Sequence, residues 1–259
     1  AVDHPWYSSV RMVAVGITFN YSHNPLVLHV ANQLGPNYSK TVILDHQLIA
    51  HLDVAASFLD RILISASLPI VLFENGYSQL GISPVRGVAV GDPRLGARVR
   101  LLGNAYRSPL SLTLSADLWV PINSFSDPPP FPAQSGETGV RVLPKAIVGG
   151  YASHVLWAVT AGFFYRPDQA ITGLAPRFGN TVGSELSLGA AIAYANLERR
   201  FAIGPEALFS TVVTGDQALQ SQSMSLELLL RAHYNLARWV QVGAAGGAGR
   251  LAPVGTPDA

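Results

Sequence analysis

The chain has no cysteine. That excludes disulfides, a thiolate nucleophile and thiolate metal ligands together, and an absence of thiols suits an oxidising envelope. Charge is scarce as well: 13% of residues are charged, against about 25% in ordinary soluble domains. The net charge is only +1, so there is no basic excess of the kind that a nucleic-acid partner requires. No secretory signal is expected in the opening residues, because Ala1-Val2-Asp3-His4 has neither a basic nor an apolar region, which fits a mature, processed or recombinant start. No segment is an obvious membrane helix. Residues Ala146 to Tyr165 come nearest, having no Asp, Glu, Lys or Arg and about the 20-residue length of a span. Gly149, Gly150, Gly162 and the polar Ser153-His154 interrupt them, and Trp157, Val159, Ala161, Phe163 and Tyr165 recur at strand spacing. The segment is expected to be a hairpin turning at Ala152-Ser153-His154.

What is present is alternation. From Asp45 to Phe58, one face carries Leu48, Ala50, Leu52, Val54, Ala56 and Phe58, and the other Asp45, Gln47, Ile49, His51, Asp53, Ala55 and Ser57. Successive strand side chains point to opposite faces, so this is a strand with one oily and one wet side. Ile62, Ile64, Ala66, Leu68, Ile70 and Leu72 continue the oily side on a second arm, joined through a tight turn at Leu59-Asp60-Arg61. Both arms far exceed the usual strand of about 5–6 residues, as expected of a sheet that crosses a fixed thickness.

The same reading gives eleven strands: about Arg11–Tyr21, the two arms of the opening hairpin, then Val88–Leu102, Leu110–Pro121, Gly139–Tyr151, Val155–Arg166, Ser184–Asn196, Arg200–Val213, Gln222–Leu236 and Trp239–Gly249. Ser22–Lys40 is expected to be a long loop in which Pro25–Val30 extends a strand. The Pro-rich stretch Asp127–Pro132 excludes regular structure. Short and long connections alternate, the signature of an outer-membrane barrel with short periplasmic turns and longer outer loops. The fold class is therefore all-β: an antiparallel up-and-down transmembrane β-barrel, with residues 1–259 forming one domain. Single-chain bacterial barrels use an even number of strands. About twelve are thus expected, and the natural polypeptide is expected to supply a closing strand after Ala259.

The wet faces carry Asp45, Asp53, Asp92, Asp117, Glu185, Glu206 and Glu227, with Arg94, Arg98, Arg100, Arg141, Lys145, Arg166 and Arg231. The signs balance, as suits a lumen in which charges pair, and His51 joins this face. On the oily faces Phe58, Tyr194, Phe201 and Tyr234 fall near the short turns. Phe19, Tyr21, Phe163, Tyr165 and Phe209 fall near the long loops. Two aromatic girdles around an aliphatic band match the two interfaces of a bilayer.

Several short motifs resemble the N-terminal barrel of OmpA-family envelope proteins: Asp45-His46-Gln47-Leu48 with His51-Leu52, Asp60-Arg61, Leu68-Pro69, Gly91-Asp92-Pro93-Arg94-Leu95-Gly96, Val182-Gly183-Ser184-Glu185-Leu186 and Gly204-Pro205-Glu206. The resemblance implies a bacterial outer-membrane location. It also implies contact with outer-membrane lipid and lipopolysaccharide, and a possible envelope protein partner. Peptidoglycan anchoring in that family belongs to a separate domain not read in these residues.

Catalytic chemistry finds little support. Alternation sets His46 facing lipid at the outer rim and Asp45 on the opposite face. His51 and Asp53 share a face but read as part of the lumen network. Gly91–Gly96 is not followed by a helix, so it is no phosphate loop. No His, Asp or Glu cluster has metal spacing, and no cofactor is expected. The reading is a non-enzymatic outer-membrane barrel, a structural element or narrow pore. A lipid-modifying acyl hydrolase or transferase is the alternative, and a soluble lipocalin-like carrier a weaker one.

Overall fold

A computed structural model describes residues 2–3, 12–31, 38–77, 84–104, 108–122, 139–167, 169–170, 181–196, 198, 200–215, 218–220, 223–237 and 239–250. The strands are β1 (Met12–Ala31), β2 (Tyr38–Phe58), β3 (Ile62–Gly76), β4 (Ala89–Val90), β5 (Arg94–Leu102), β6 (Ser111–Trp119), β7 (Arg141–Ala152), β8 (Val155–Phe164), β9 (Gln169–Ala170), β10 (Thr181–Val182), β11 (Glu185–Ala195), β12 (Phe201–Val212), β13 (Met224–Ala237) and β14 (Val240–Arg250). Twelve of them form one antiparallel sheet in the order β1-β2-β3-β5-β6-β7-β8-β11-β12-β13-β14, with β4 paired to the flank of β3. The sheet is curled into a half-barrel. The small β9–β10 ladder stands apart from it. Among the described residues no helix is long and apolar enough to cross a membrane.

The eleven long strands are those read from alternation, but three boundaries differ. First, Ser22–Lys40 is mostly strand: β1 and β2 pair from Met12↔Ser57 to Ala31↔Tyr38, with irregularities between His23 and Val27. The chain takes Asn24 and Pro25 up in a bulge, with Asn24 at φ 49°. Second, Val88–Leu102 is not one strand. Gly91-Asp92-Pro93 separates β4 from β5, since Pro93 has no N–H to give the ladder. The break is held by Gly91 N–H on Pro69 O at 2.9 Å and Val120 N–H on Pro93 O at 3.1 Å. Third, much of Pro167–Gly183 lies outside the described residues, but its ends form β9 and β10. Asp127–Pro132 and residues 251–259 also lie outside them.

The turns follow expectation. Leu59 and Asp60 both take positive φ (53° and 57°), as a tight hairpin turn requires, and Arg61 N–H closes on Phe58 O at 3.1 Å. Ser153-His154 joins β7 to β8, so the apolar stretch around residue 155 is a hairpin.

Burial is inverted relative to a soluble core. Buried polar residues include Ser111, Thr113, Ser115, Asp117, Arg100, Thr160 and Glu206, while Leu52, Val54, Ile64, Leu95, Val99, Leu114, Leu188, Ile192, Leu228 and Leu230 are exposed. Along β6 the inner residues Ser111, Thr113, Ser115 and Asp117 are buried and alternate with partly or fully exposed Leu112, Leu114, Ala116 and Leu118. The oily face is therefore the outer face of the curl. Phe19, Tyr21, Phe58, Phe163, Tyr165, Tyr194 and Tyr234 are exposed on it; Phe201 and Phe209 are partly covered.

Ten antiparallel steps along the path leave β1 and β14 running in the same direction. No ladder joins them among the described residues. Ala14, Gly16 and Thr18 are exposed as well as Val13, Val15 and Ile17, and so is every residue from Gln241 to Gly247. Both edges are open on both faces.

Candidate functional site: the charged inner face and the segment lying in it

The inner face is a chain of ion pairs. Arg141 of β7 binds Asp92 at the strand break, and Arg166 binds Glu185 at the start of β11. Arg166 also donates from Nε to Gly183 O at 2.8 Å. Lys145 lies 2.6 Å from Asp117 on the neighbouring β6. Arg231 of β13 reaches Glu206 of β12 at 3.4 Å. Trp119 and Phe164 meet edge to face at 5.3 Å between ring centres, with Arg94 over the Trp119 ring at 6.0 Å. Two glycines make room. A Cβ at Gly162 would lie 2.7 Å from Lys145 Cγ, and one at Gly96 would lie 2.7 Å from Asp117 Oδ1.

Into this trough comes a segment from outside the sheet. Val2 is buried, and its backbone N–H donates to Glu206 Oε2 at 2.9 Å. The next residue, Asp3, accepts from Arg98 Nη2 of β5 at 2.6 Å and from Lys145 Nζ of β7. Five strand-to-strand steps separate β5 from β12 on the path, about 24 Å on a flat sheet at ~4.8 Å each. Two consecutive residues touch both because the curl brings those strands toward each other across the lumen. Val2 Cγ2 also lies close to Gly189 of β11. Beside Val2, a cleft is lined by Trp157, Ala191, Glu206, Arg231 and His233. Burial raises the affinity of the Asp3 carboxyl for a proton, but Arg98 and Lys145 outweigh it and hold the group well below the usual carboxylate range.

Most residues assigned to the wet face lie in this network or beside it. Asp53 accepts from Thr18 at 3.4 Å; His51, Glu227 and Arg94 are partly covered on the same face. Arg100 sits at the short-turn end, fully buried, with Asp60 Oδ1 at 2.9 Å. Sequence reasoning missed Asp3 and Asp60. Both lie outside the strands, where alternation has nothing to say.

Asp45 departs from expectation. It does not join the inner network. The β2–β3 ladder shifts register between Leu44 and His46, so Asp45 is the extra residue of a bulge and no longer points away from its neighbour. His46 Nε2 lies 3.4 Å from Asp45 Oδ2, and His23 Nδ1 lies 3.7 Å from Oδ1. The expectation that no carboxylate–histidine group gathers at metal-ligand distances fails here: a cross-strand pair and a bulge assemble what contiguous spacing does not show. His46 does lie on the outer face at the rim, stacked on Tyr21 at 5.9 Å.

No family model matches the chain, and no curated relative matches it. Among solved structures it is similar to the COG4313 outer membrane channel from Pseudomonas putida F1, with a TM-score of 0.68 and 13% identity, over 99% of this chain and 94% of that one. At that identity the likeness is one of fold: the two chains share a curled antiparallel β-sheet architecture over almost their whole lengths.

Proposed function

We propose that this chain is a non-enzymatic channel of the bacterial outer membrane, with a narrow lumen into which Val2 and Asp3 reach. The observation that carries the reading is the inverted burial: charged and hydroxyl side chains face inward while Leu, Val and Ile cover the outside. Water favours the opposite arrangement, and a bilayer favours this one. A soluble carrier would bury those leucines against its cargo. The similar fold of a protein described as an outer membrane channel supports a pore over a purely structural role. The OmpA-type motifs are consistent with a barrel, since Asp92, Glu185 and Glu206 in them all hold inner-face arginines. The outer face would contact lipid and, at the long-loop end, lipopolysaccharide.

For the alternative, a lipid-modifying enzyme, the candidate residues His51 and Ser57 are not brought together. His51 and Ser57 are six residues apart on one extended strand, about 20 Å. Asp53 is bonded to Thr18. The deciding experiment is reconstitution in a planar bilayer beside a phospholipid-hydrolysis assay. Small, weakly selective conductance without lipid turnover supports the channel. Lipid turnover abolished by His51→Ala sinks it, as does a wide and strongly selective pore in the wild-type chain.

A further inference from the structure

A second site stands on the outer face, within the β1–β2 ladder, which continues beyond it to Ala31↔Tyr38. His23 and His46 are direct cross-strand partners. Asp45 would ordinarily point to the other face. The bulge at Leu44/His46 turns it toward the histidines, and a second irregularity begins just past His23, where Asn24 takes φ 49°. Two ladder defects at one level aim three side chains at one point, and bulges that re-aim side chains are built features rather than accidents.

We propose that His23, Asp45 and His46 form a binding site for a divalent transition-metal ion of the zinc type. The ligand atoms of all three residues lie within 4.8 Å of one another. Tetrahedral zinc with bonds of about 2.0–2.1 Å places its ligands about 3.3 Å apart. Asp45 already lies 3.4 Å from His46 Nε2 and 3.7 Å from His23 Nδ1, so small ring rotations complete the set. Two imidazoles and one carboxylate suit zinc and its neighbours more than calcium or magnesium, which take oxygen ligands. Three protein ligands leave a fourth position for water, and all three side chains are partly exposed, so an ion has access.

The surroundings fix the rings as metal-bound histidines require. The Tyr21 hydroxyl lies 2.7 Å from His46 Nδ1. With the ring proton on Nδ1 donated to that oxygen, the Nε2 lone pair faces Asp45. The Asn24 side-chain amide lies 3.2 Å from His23 Nε2. Turning that amide over sets its oxygen on the nitrogen in place of Nδ2, so that Nε2–H donates and Nδ1 is free for the ion. The two Nδ1 atoms lie 3.3 Å apart.

The test is zinc titration by calorimetry of the full chain in detergent, without a polyhistidine tag and in a non-chelating buffer. One saturable zinc ion per chain is expected. His23→Ala and Asp45→Asn should each abolish it, while His154→Ala and His51→Ala should leave it intact. Tyr21→Phe removes only the outer hydrogen bond and should weaken it by about tenfold. Heat-modifiable electrophoretic mobility shows whether each variant keeps its barrel. Cobalt(II) substituted in the unmutated chain gives a reading free of folding effects: an intense tetrahedral visible spectrum that disappears when excess zinc displaces the cobalt. No saturable site, unchanged binding in folded Asp45→Asn, or a pale octahedral cobalt spectrum would each overturn the proposal.

Discussion

Consider Asp3→Ala. In the structure this carboxylate is the anchor that holds residues 2–3 against β5 and β7, through Arg98 at 2.6 Å and through Lys145. A hydrogen bond to a charged group contributes about 1.5–3 kcal/mol. Two are lost, but Asp3 is a quarter exposed and Lys145 keeps Asp117 at 2.6 Å, so both terms shrink. A net loss of about 2–3 kcal/mol is expected. At ~1.4 kcal/mol per tenfold, the ratio of undocked to docked segment should rise by about 30- to 150-fold. Single-channel recording in planar bilayers reads this directly, as more frequent or longer open events at unchanged maximal conductance. Val2→Gly combined with Asp3→Ala removes the buried Val2 side chain as well as both Asp3 ion pairs and gives the open reference. If this double variant leaves the current at the wild-type level, the segment does not obstruct the lumen and the reasoning fails.

The protonation of Asp3 supplies an independent check. Its carboxyl is held below its ordinary value, so the ion pairs contribute fully at any pH above about 4 and are lost only as pH falls through the lowered value. Open probability should therefore be flat from pH 8 to pH 5. A rise on acidification within that range would mean that something other than Asp3 secures the segment.

Other consequences are as direct. Leu114→Arg, mid-strand on the outer face of β6, should destabilise the barrel in lipid by roughly 2–4 kcal/mol, measured by urea unfolding in vesicles; no cost would mean this face does not meet hydrocarbon. Arg100→Ala removes the buried partner of Asp60 and should cost ~2 kcal/mol by the same measurement, without changing conductance. Gly162→Ala pushes a Cβ against the Lys145 stem and should shift gating in the same direction as Asp3→Ala, by a smaller factor. Cysteine pairs placed between residues 13–20 and 241–248 of this cysteine-free chain should not cross-link across the open edges. Efficient disulfide formation there would show that β1 and β14 meet.

The strands were legible because alternation is a two-state code, and a bilayer enforces it residue by residue along every crossing. Val13, Val15 and Ile17, or Leu226, Leu228 and Leu230, leave no second register in which charges would stay out of lipid. Outside the crossing that enforcement ends, and so did the reading. Ser22–Lys40 reads as a loop, yet β1 and β2 stay paired on both sides of the irregularities between His23 and Val27. Pro93 gave an opposite error: oily alternation ran through it, and only the missing N–H, a backbone property, explains why β4 and β5 are separate.

The two places where function is proposed both lie where the alternation code is silent or broken. Asp3 belongs to no strand, so no face can be assigned to it. Its role follows from Arg98 and Lys145, neighbours supplied by β5 and β7. A search of the inner face for unpaired cations was the available signal: β5 presents Arg94, Arg98 and Arg100 inward with no acid among them. The flanking β6 offers one, Asp117, which Lys145 also claims. That local excess of positive charge calls for carboxylates from outside the sheet, and Asp3 and Asp60 provide them. Asp45 makes the converse case. Strict alternation places it in the lumen, opposite His46; one extra residue in β2 moves it to the outer rim beside both histidines. A single register shift thus removes one acid from the inner network and creates the only His–Asp cluster of metal-ligand geometry among the described residues.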